Sequence, residues 1–240
     1  MKADSTDLTK LLDLQGLDSG IEQLKRKAAA LPVHAQIADL TARRTAIGQD
    51  LTAAKTAVSD ATATAERAEA DVTPVRERLA RNQARVQAGE MDAKALTSAL
   101  DEIEHLKKRV SDLEDDELAA LDALDAANER LARVTAAADT VDADLRELVA
   151  ARDAQGADLA GQARALGERR AGLAGTIDPA LLGLYEKIRA RANGLGVARL
   201  DGRRCAACGL EATVADYDRY VAAAPDEVLR CAECDRILVR

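Results

Sequence analysis

The sequence predicts a mainly α-helical protein, in which a long antiparallel coiled-coil hairpin precedes a small C-terminal domain organised by four cysteines. Three observations predict it: apolar residues recur at heptad spacing through the first 175 residues, a glycine interrupts them near the middle, and all four cysteines follow residue 200. The predicted domains are the hairpin at 1–175 with its turn near 88–92, a connecting helix and neck at 176–200, and the cysteine domain at 201–240.

The composition suits a thin seam between helices better than a thick core. Of the 240 residues, 48% are hydrophobic, yet the chain has three Tyr and neither Phe nor Trp. Small aliphatic side chains fit the narrow contact between paired helices, and the 32% of charged residues would cover the outer faces. The net charge of −8 argues against indiscriminate polyanion binding by the whole chain.

No segment predicts export or a membrane span. The first twenty residues lack an apolar stretch after a basic start, and no apolar run approaches eighteen residues. Because cysteines in a chain without an export signal favour metal ligation over disulfides, we expect a cytoplasmic protein with no membrane partner.

The first predicted helix covers 5–31, with Ser5 or Thr6 as its N-cap. Pro32 then removes a backbone hydrogen bond, which predicts a kink or a break. A second helix follows, and Pro74 should bend it locally.

Two apolar stripes follow the second helix at heptad spacing. Thirteen of their fourteen positions are apolar, which predicts a sustained coiled coil, and their many alanines predict close approach of the paired helices. The stripes are Val33, Leu40, Ile47, Ala54, Ala61, Ala68 and Val75, and Ile37, Arg44, Leu51, Val58, Ala65, Val72 and Leu79.

The heptad pattern weakens just before Asp92, where Gly89 predicts a turn and Asp92 can cap the next helix. The descending helix, from Asp92 to Leu173, has 82 residues, or about 120 Å. The two ascending segments together have 83 residues, so an antiparallel hairpin leaves little unmatched. The same heptads could instead form a parallel dimeric coiled coil, and the sequence leaves the oligomeric state open.

The C-terminal part begins with a short helix opened by Asp178 as N-cap and Pro179 at its first position, and ended by Asn193 and Gly194. The remaining predicted elements are a strand at 197–200, a helix at 216–223, and strands at 228–229 and 237–239.

The four cysteines form two Cys-x-x-Cys pairs, Cys205 with Cys208 and Cys231 with Cys234. This spacing lets one turn of backbone direct two thiolates at one tetrahedral metal ion, and two pairs supply a complete ligand set. We therefore predict one structural Zn²⁺ in a C4 zinc ribbon, without an open position for catalysis. Two redox-active dithiols or two disulfides are the alternative.

The residues beside the cysteine pairs agree with this prediction. Gly209 follows the first pair, and glycine favours the tight turn that a chain makes around a ligating sulfur. Asp235 takes the matching place after the second pair. His34 and His105 lie far along the chain in the hairpin, and neither is assigned to the metal. We recognise no nucleophile–base pair, phosphate loop or open metal site, and expect no enzymatic activity.

Several segments together resemble a known family. These are Leu100 to Ile103, Leu113 to Leu118, Leu184 with Tyr185, the two cysteine pairs, and the closing segment from Cys234 to Leu238. They resemble bacterial proteins that combine a coiled-coil hairpin with a C-terminal C4-type zinc ribbon and are predicted to bind nucleic acid. The resemblance extends over nearly the whole chain. It also implies an adaptor or chaperone role, since some members are linked to the sigma-54 factor, flagellar regulation or type III secretion.

Two functions therefore compete. The first is a non-enzymatic adaptor or chaperone that binds protein partners through its hairpin, turn or ribbon. The alternative is a regulatory protein that binds RNA or DNA through the ribbon and the neck, since residues 185–204 carry a net charge of +4. The candidate nucleic-acid-binding residues are Lys187, Arg189, Arg191, Arg199, Arg203 and Arg204, with Tyr217 and Tyr220 to stack on bases. The ordinary interpretation is that the tyrosines pack the ribbon core and the arginines are solvated.

A second basic cluster lies on the two arms near the turn. The hairpin would bring its members together, but carboxylates alternate with them, so we expect ordinary interhelical ion pairs. The cluster comprises Arg76, Arg78, Arg81, Arg85, Lys107, Lys108 and Arg109.

Overall fold

The computed structural model describes residues 1–89 and 91–240 of the chain. It confirms the predicted fold class, a mainly helical chain with a long helical hairpin and a small C-terminal sheet region. None of the described helices is both long enough and apolar enough to cross a membrane. The elements are α1 Ser5–Ala29, α2 Val33–Gln87, α3 Ala93–Ala174, α4 Pro179–Arg191, β1 Val197–Asp201, β2 Arg204–Cys205, α5 Val214–Ala222, β3 Leu229–Arg230 and β4 Ile237–Val239.

The predicted break at Pro32 is confirmed, since α1 ends at Ala29 and α2 begins at Val33. The predicted N-cap of α1 is wrong by one residue. Asp4 holds that position, and its Oδ1 accepts hydrogen bonds from the Thr6 backbone N at 2.8 Å and the Thr6 hydroxyl at 2.7 Å. A carboxylate at this place also interacts favourably with the helix dipole, which a neutral hydroxyl does not.

The turn between α2 and α3 is where the sequence predicts it. Gly89 has a φ of +69°, a left-handed conformation that costs glycine little. Asp92 caps α3, because its Oδ1 accepts a hydrogen bond from the Ala95 backbone N at 2.7 Å. Glu90, inside the predicted turn, lies outside the described residues.

Ion pairs across the hairpin establish that α2 and α3 are antiparallel. Arg44 Nε lies 2.6 Å from Asp142 Oδ1, and Arg76 Nε lies 3.0 Å from Glu114 Oε1. Partner numbers on α3 therefore fall as residue numbers on α2 rise. Arg76 also pairs with Glu117. The expected ion-pair role of the second basic cluster is thus confirmed for Arg76.

Contacts divide the chain into two compact units. The first unit is Met1–His34 with Ala150–Arg240, and the second unit is Ala35–Val149. The hairpin predicted at 1–175 thus contributes residues to both units, because α1 packs with C-terminal elements. Buried residues of the second unit are mostly small or β-branched, as the sequence predicts for a close helix–helix seam: Ala54, Val72, Ala99, Ile103, Val110, Leu113 and Ala120.

A four-stranded sheet in the first unit has the order β2-β1-β4-β3. Strands β1 and β4 are parallel, with Val197 opposite Ile237, whereas β2 and β3 pair antiparallel with β1 and β4. The sequence did not predict β2, which has only two residues and no alternating pattern.

The core of the first unit joins distant parts of the sequence. Leu11 and Leu14 of α1 and Tyr185 of α4 are fully buried with Ile237 of β4 in one apolar cluster. The backbone N of Val228 also donates to the Met1 carbonyl oxygen at 3.0 Å. Helix α1 is therefore part of the fold that supports the cysteine domain.

Candidate metal centre and the basic neck

The four cysteines converge on one point, although β2 and β3, which lead into the two pairs, are the two outer strands of the sheet. Cys205 lies on β2, Cys231 follows β3, and Cys208 and Cys234 lie in the turns after them. All four Sγ atoms lie within 4.8 Å of one another. Two cysteines are buried and two are half-buried, and all four are free thiols.

The sulfur separations fit one tetrahedral metal ion. Sulfurs at a Zn–S distance of about 2.3 Å would lie about 3.8 Å apart in a regular tetrahedron. Cys205 Sγ and Cys234 Sγ are 3.9 Å apart, and Cys208 Sγ and Cys231 Sγ are 4.0 Å apart. A disulfide requires about 2.05 Å, so the arrangement suits metal ligation and not two disulfides.

Both cysteine pairs use the same backbone turn. In the first, the Gly209 N donates to the Cys205 carbonyl oxygen at 2.8 Å, and in the second the Asp235 N donates to the Cys231 carbonyl oxygen at 2.9 Å. Gly209 and Asp235 have φ values of +72° and +62°. The prediction that Asp235 takes the place of a glycine is confirmed, and aspartate is among the few residues that adopt this conformation at modest cost.

Burial raises the pKa of the Cys205 thiol and of the Cys231 thiol. At Cys234 burial acts in the same direction, but hydrogen bonds from the Arg236 backbone and side chain, and then from the neighbouring thiols, lower its pKa to about 7. A metal ion would displace the remaining thiol protons, so metal binding at this site releases protons and weakens at low pH.

Two of the neck arginines on α4 are engaged within the first unit. Arg189 lies 3.2 Å from Asp18 and 3.4 Å from Glu186, and three quarters of its side chain is buried. Arg191 pairs with Asp235, the residue in the second cysteine turn. These two guanidinium groups hold α4 against α1 and against the ribbon.

Two further arginines of the basic segment 185–204 lie in the ribbon and are engaged there. Arg203 donates to the Ala212 carbonyl oxygen at 2.9 Å, and its guanidinium lies 5.9 Å from the centre of the Tyr217 ring. Arg204 lies 2.9 Å from Glu211. A phosphate group would have to compete with these contacts.

The other two basic residues of the neck, Lys187 and Arg199, are exposed. Within the described part of the chain, neither has a carboxylate within 4.0 Å, which leaves both charges available to a partner.

The tyrosines proposed to stack on bases differ in exposure. Tyr220 is buried, and its hydroxyl accepts a hydrogen bond from the Ala232 N at 2.9 Å. Tyr217 is half-buried beside Arg203. A base could reach the Tyr220 ring only after the ribbon core had opened, whereas Tyr217 is partly exposed.

A buried charged network, which the sequence analysis did not identify, fixes α1 to its neighbours. Asp18 is 1% exposed and accepts hydrogen bonds from the Tyr185 hydroxyl at 2.6 Å and from Arg170 Nε at 2.7 Å. The hydrogen bond to Asp18 raises the pKa of Arg170, while burial raises that of Tyr185, so both keep their protons and donate. Asp18 interrupts the apolar face of α1 one turn after Leu14. A charged residue at an apolar position is the feature of the sequence that could have indicated a buried network.

Gln15 performs a similar role one turn earlier. Its amide N donates to the Gly194 carbonyl oxygen at 2.8 Å, and its amide O accepts from the Gly196 N at 2.7 Å. The loop that leads from α4 into β1 is thereby bound to α1, so α1 helps to position the strand next to the cysteines.

The fold and the cysteine cluster define a class of proteins with a helical hairpin and a C-terminal site able to hold one metal ion. Residues 14–193 match the family model of the CT398-like coiled coil hairpin domain, and the chain belongs to that family.

Similar proteins extend the comparison over the whole chain. Uncharacterized proteins from two strains of Mycobacterium tuberculosis are 35% identical over 243 residues, covering 100% of this chain and 98% of theirs. A Mycobacterium smegmatis structure has a TM-score of 0.86 at 31% identity and matches over the full length of both chains. CT398 from Chlamydia trachomatis shares the fold, with a TM-score of 0.53 at 20% identity over 97% of both chains.

Proposed function

We propose that the protein is a non-enzymatic adaptor that binds protein partners and whose ribbon is stabilised by one Zn²⁺. The observation that carries the proposal is a set of exposed apolar side chains on the ribbon. Val214 and Val221 are 63% and 59% exposed, and their spacing of seven residues places them on one face of α5. Leu210, in the preceding loop, is 53% exposed. We call these three residues the ribbon apolar set.

The ribbon apolar set contrasts with the opposite face of the same helix. Tyr220 of α5 packs into the core that contains Cys205 and Cys231, so α5 is anchored to the cysteine cluster by one face only. Exposed β-branched and leucine side chains so close to a metal-stabilised core form a rigid surface for another protein.

In this proposal the metal has a structural role. Four thiolates complete a tetrahedral set, so zinc would bind no water and would activate no substrate. The buried cluster around the cysteines is small, with Tyr220, Leu229 and Leu238 as its largest side chains. A small domain of this kind gains much of its stability from the metal. Zinc would keep α5 and its exposed face in place.

Nucleic-acid binding is the second candidate, and one specific observation favours it. Lys187 and Arg199 are exposed basic residues without a carboxylate within 4.0 Å in the described part of the chain. Two such charges provide few phosphate contacts, and the arginines beside them are already engaged. The adaptor function is therefore the better supported of the two.

Capture from a lysate of the source cells, with and without nuclease, tests the proposal. The bait is the full-length protein, compared with a variant that combines Leu210→Ser, Val214→Ser and Val221→Ser. A second variant combines Lys187→Ala and Arg199→Ala in the neck. Zinc content and circular dichroism of each bait verify that it is folded.

We expect protein partners that resist nuclease, are lost with the ribbon variant and are retained with the neck variant. Partners that disappear with nuclease or with the neck variant would instead favour the nucleic-acid function. If each bait captures the same proteins, the ribbon apolar set is not the binding surface and the proposal fails.

A further inference from the structure

A pair of exposed leucines lies on the part of α3 that belongs to the second unit. Leu118 is 60% exposed and Leu121 is 45% exposed. They are three residues apart and therefore neighbours on the helix surface. Neither points into the seam with α2, whose buried positions at this level are Leu113 and Ala120. We call Leu118 and Leu121 the leucine pair.

The charge around the leucine pair is of one sign. Between Val110 and Ala127, α3 has seven carboxylates and neither lysine nor arginine. This segment thus carries a net charge of −7, against −8 for the whole chain. The carboxylates belong to Asp112, Glu114, Asp115, Asp116, Glu117, Asp122 and Asp125.

Most of these carboxylates have no cationic partner. Arg76 of α2 pairs with Glu114 and Glu117. In the described part of the chain, no lysine or arginine nitrogen lies within 4.0 Å of the other five, all of which are exposed. At 100° per residue, Asp115, Asp122 and Asp125 lie within about 60° of Leu118 around the helix axis, so they surround the leucine pair.

An ordinary solvated face of a coiled coil has a different pattern. Exposed helix faces normally mix the two signs, because like charges three or four residues apart repel one another. Later in α3, from Glu129 to Glu147, three arginines accompany five acids. The segment around the leucine pair combines like-charge repulsion with exposed apolar area, and a cationic partner with an apolar stripe would relieve both.

We propose that the leucine pair and the carboxylates around it bind a basic amphipathic helix of a partner protein, one that presents leucine-like side chains on one face and lysine or arginine beside them. The proposal rests on the adaptor function, for which it names the chemistry of one partner. Leu118 and Leu121 would contact the apolar stripe of the incoming helix, while Asp115, Asp122 and Asp125 would pair with its cations.

The probe is a synthetic peptide of about three heptads, with leucine at positions a and d and lysine elsewhere. A scrambled peptide of the same composition has leucines on all faces. Binding to the full-length protein is measured by fluorescence anisotropy at several salt concentrations. One variant combines Leu118→Gln and Leu121→Gln, and a second combines Asp115→Asn, Asp122→Asn and Asp125→Asn.

Matched controls make the same changes elsewhere on the hairpin. Leu96→Gln with Leu100→Gln alters two exposed leucines of α3 near the turn. Asp50→Asn, Asp139→Asn and Asp144→Asn remove three exposed carboxylates at other levels. Far-UV circular dichroism verifies that every variant keeps its helices.

We expect the leucine variant to lose about tenfold in affinity, and the aspartate variant to lose affinity and show a weaker salt dependence, while the controls bind like the unaltered protein. Equal binding of the scrambled peptide, or full affinity of the leucine variant, would overturn the proposal. So would self-association that the leucine variant abolishes, because a second copy would then be the occupant. Loss of this site would leave the capture experiment on the ribbon apolar set unaffected.

Discussion

At the scale of single residues, the unusual feature is a carboxylate that is almost completely buried. Asp18 has two arginines and a tyrosine hydroxyl around it, drawn from α3 and α4. A buried ion pair contributes little net stability compared with apolar packing, but removing one partner is costly, since the other charge is then buried alone. The network therefore specifies one arrangement of α1, α3 and α4.

Tyr185→Phe tests this network without removing a charge. The change deletes one hydrogen-bond donor to a buried carboxylate, and we expect the free energy of unfolding to fall by about 1–2 kcal/mol. Tyr217→Phe is the matched control, because the Tyr217 hydroxyl has no hydrogen-bond partner among residues 1–89 and 91–240. Urea denaturation of both variants measures the effect, and equal stability of the two would contradict the assigned role of Tyr185.

Gly196 gives a second test at the same scale. A Cβ atom at this position would lie 2.6 Å from Tyr185 Cδ2 and 2.8 Å from the Tyr185 carbonyl oxygen. We expect Gly196→Ala to destabilise the protein by about 1–3 kcal/mol, because the ring and the backbone must move.

Gly183→Ala is the control, for which we expect the opposite effect on stability. Gly183 lies within α4. Apart from its two chain neighbours and the backbone of α4, no described residue has an atom within 4 Å of a Cβ added there. Alanine should stabilise the helix here by up to about 1 kcal/mol. Thermal denaturation that moved both variants in the same direction would refute the packing described for Gly196.

At the scale of elements, the sequence predicts the helices well. The heptads predict the first helix at 5–31 and the observed α1 is Ser5–Ala29, and the long descending helix differs from α3 by one residue at each end. Periodicity over many turns is a local signal, which explains the accuracy. Strand β2 was missed because two residues have no period.

The sequence predicts only those parts of the candidate site that depend on residues close together in the chain. Two Cys-x-x-Cys pairs identify the four cysteines whose sulfurs lie together, since each pair is set by one turn of backbone. Asp18 and Gln15 could not be assigned a role, because their partners, Tyr185 and Gly196, lie more than 150 residues later in the chain. Contacts at such separations leave no periodic pattern in the sequence.

Cys231→Ser tests the candidate metal site. We expect about one zinc ion per unaltered chain, measured by atomic emission, and a loss of zinc in the variant because three thiolates bind far less tightly. All three tyrosines lie at 185–220, so near-UV circular dichroism reports on the first unit alone.

The two spectral regions should separate the effects of this variant. The near-UV signal should decrease strongly, whereas far-UV helicity should change little because most helical residues belong to the hairpin. An unaltered protein without zinc would refute the metal assignment, and a large loss of helicity would show that the hairpin depends on the ribbon.

At the scale of the whole molecule, the two compact units make separate cores. Both apolar clusters of the first unit, the Asp18 network and the cysteines all lie in Met1–His34 and Ala150–Arg240. The second unit has its own seam and its own ion pairs. Each core should therefore form from the residues of its own unit.

Replacing residues 35–149 with a short glycine-serine linker tests this division. The first residues of α2, such as Ala35, and Leu148 of α3 line one shallow groove, so a short linker can span the gap. We expect the shortened chain to keep its zinc and its near-UV spectrum. Loss of both, while the full-length chain retains them, would show that the first unit cannot fold without the hairpin.

The meeting of Lys2 with Asp226, 224 residues apart in the sequence, has a consequence for the order of assembly. During synthesis α1 exists long before β4, the strand that completes its apolar cluster, so the N-terminal helix must wait with exposed leucines. Closing a flexible loop of that length would be slow and entropically costly. A hairpin that formed first through local contacts would bring Ala35 and Leu148 together, and would thereby shorten the loop that must close between Lys2 and Asp226.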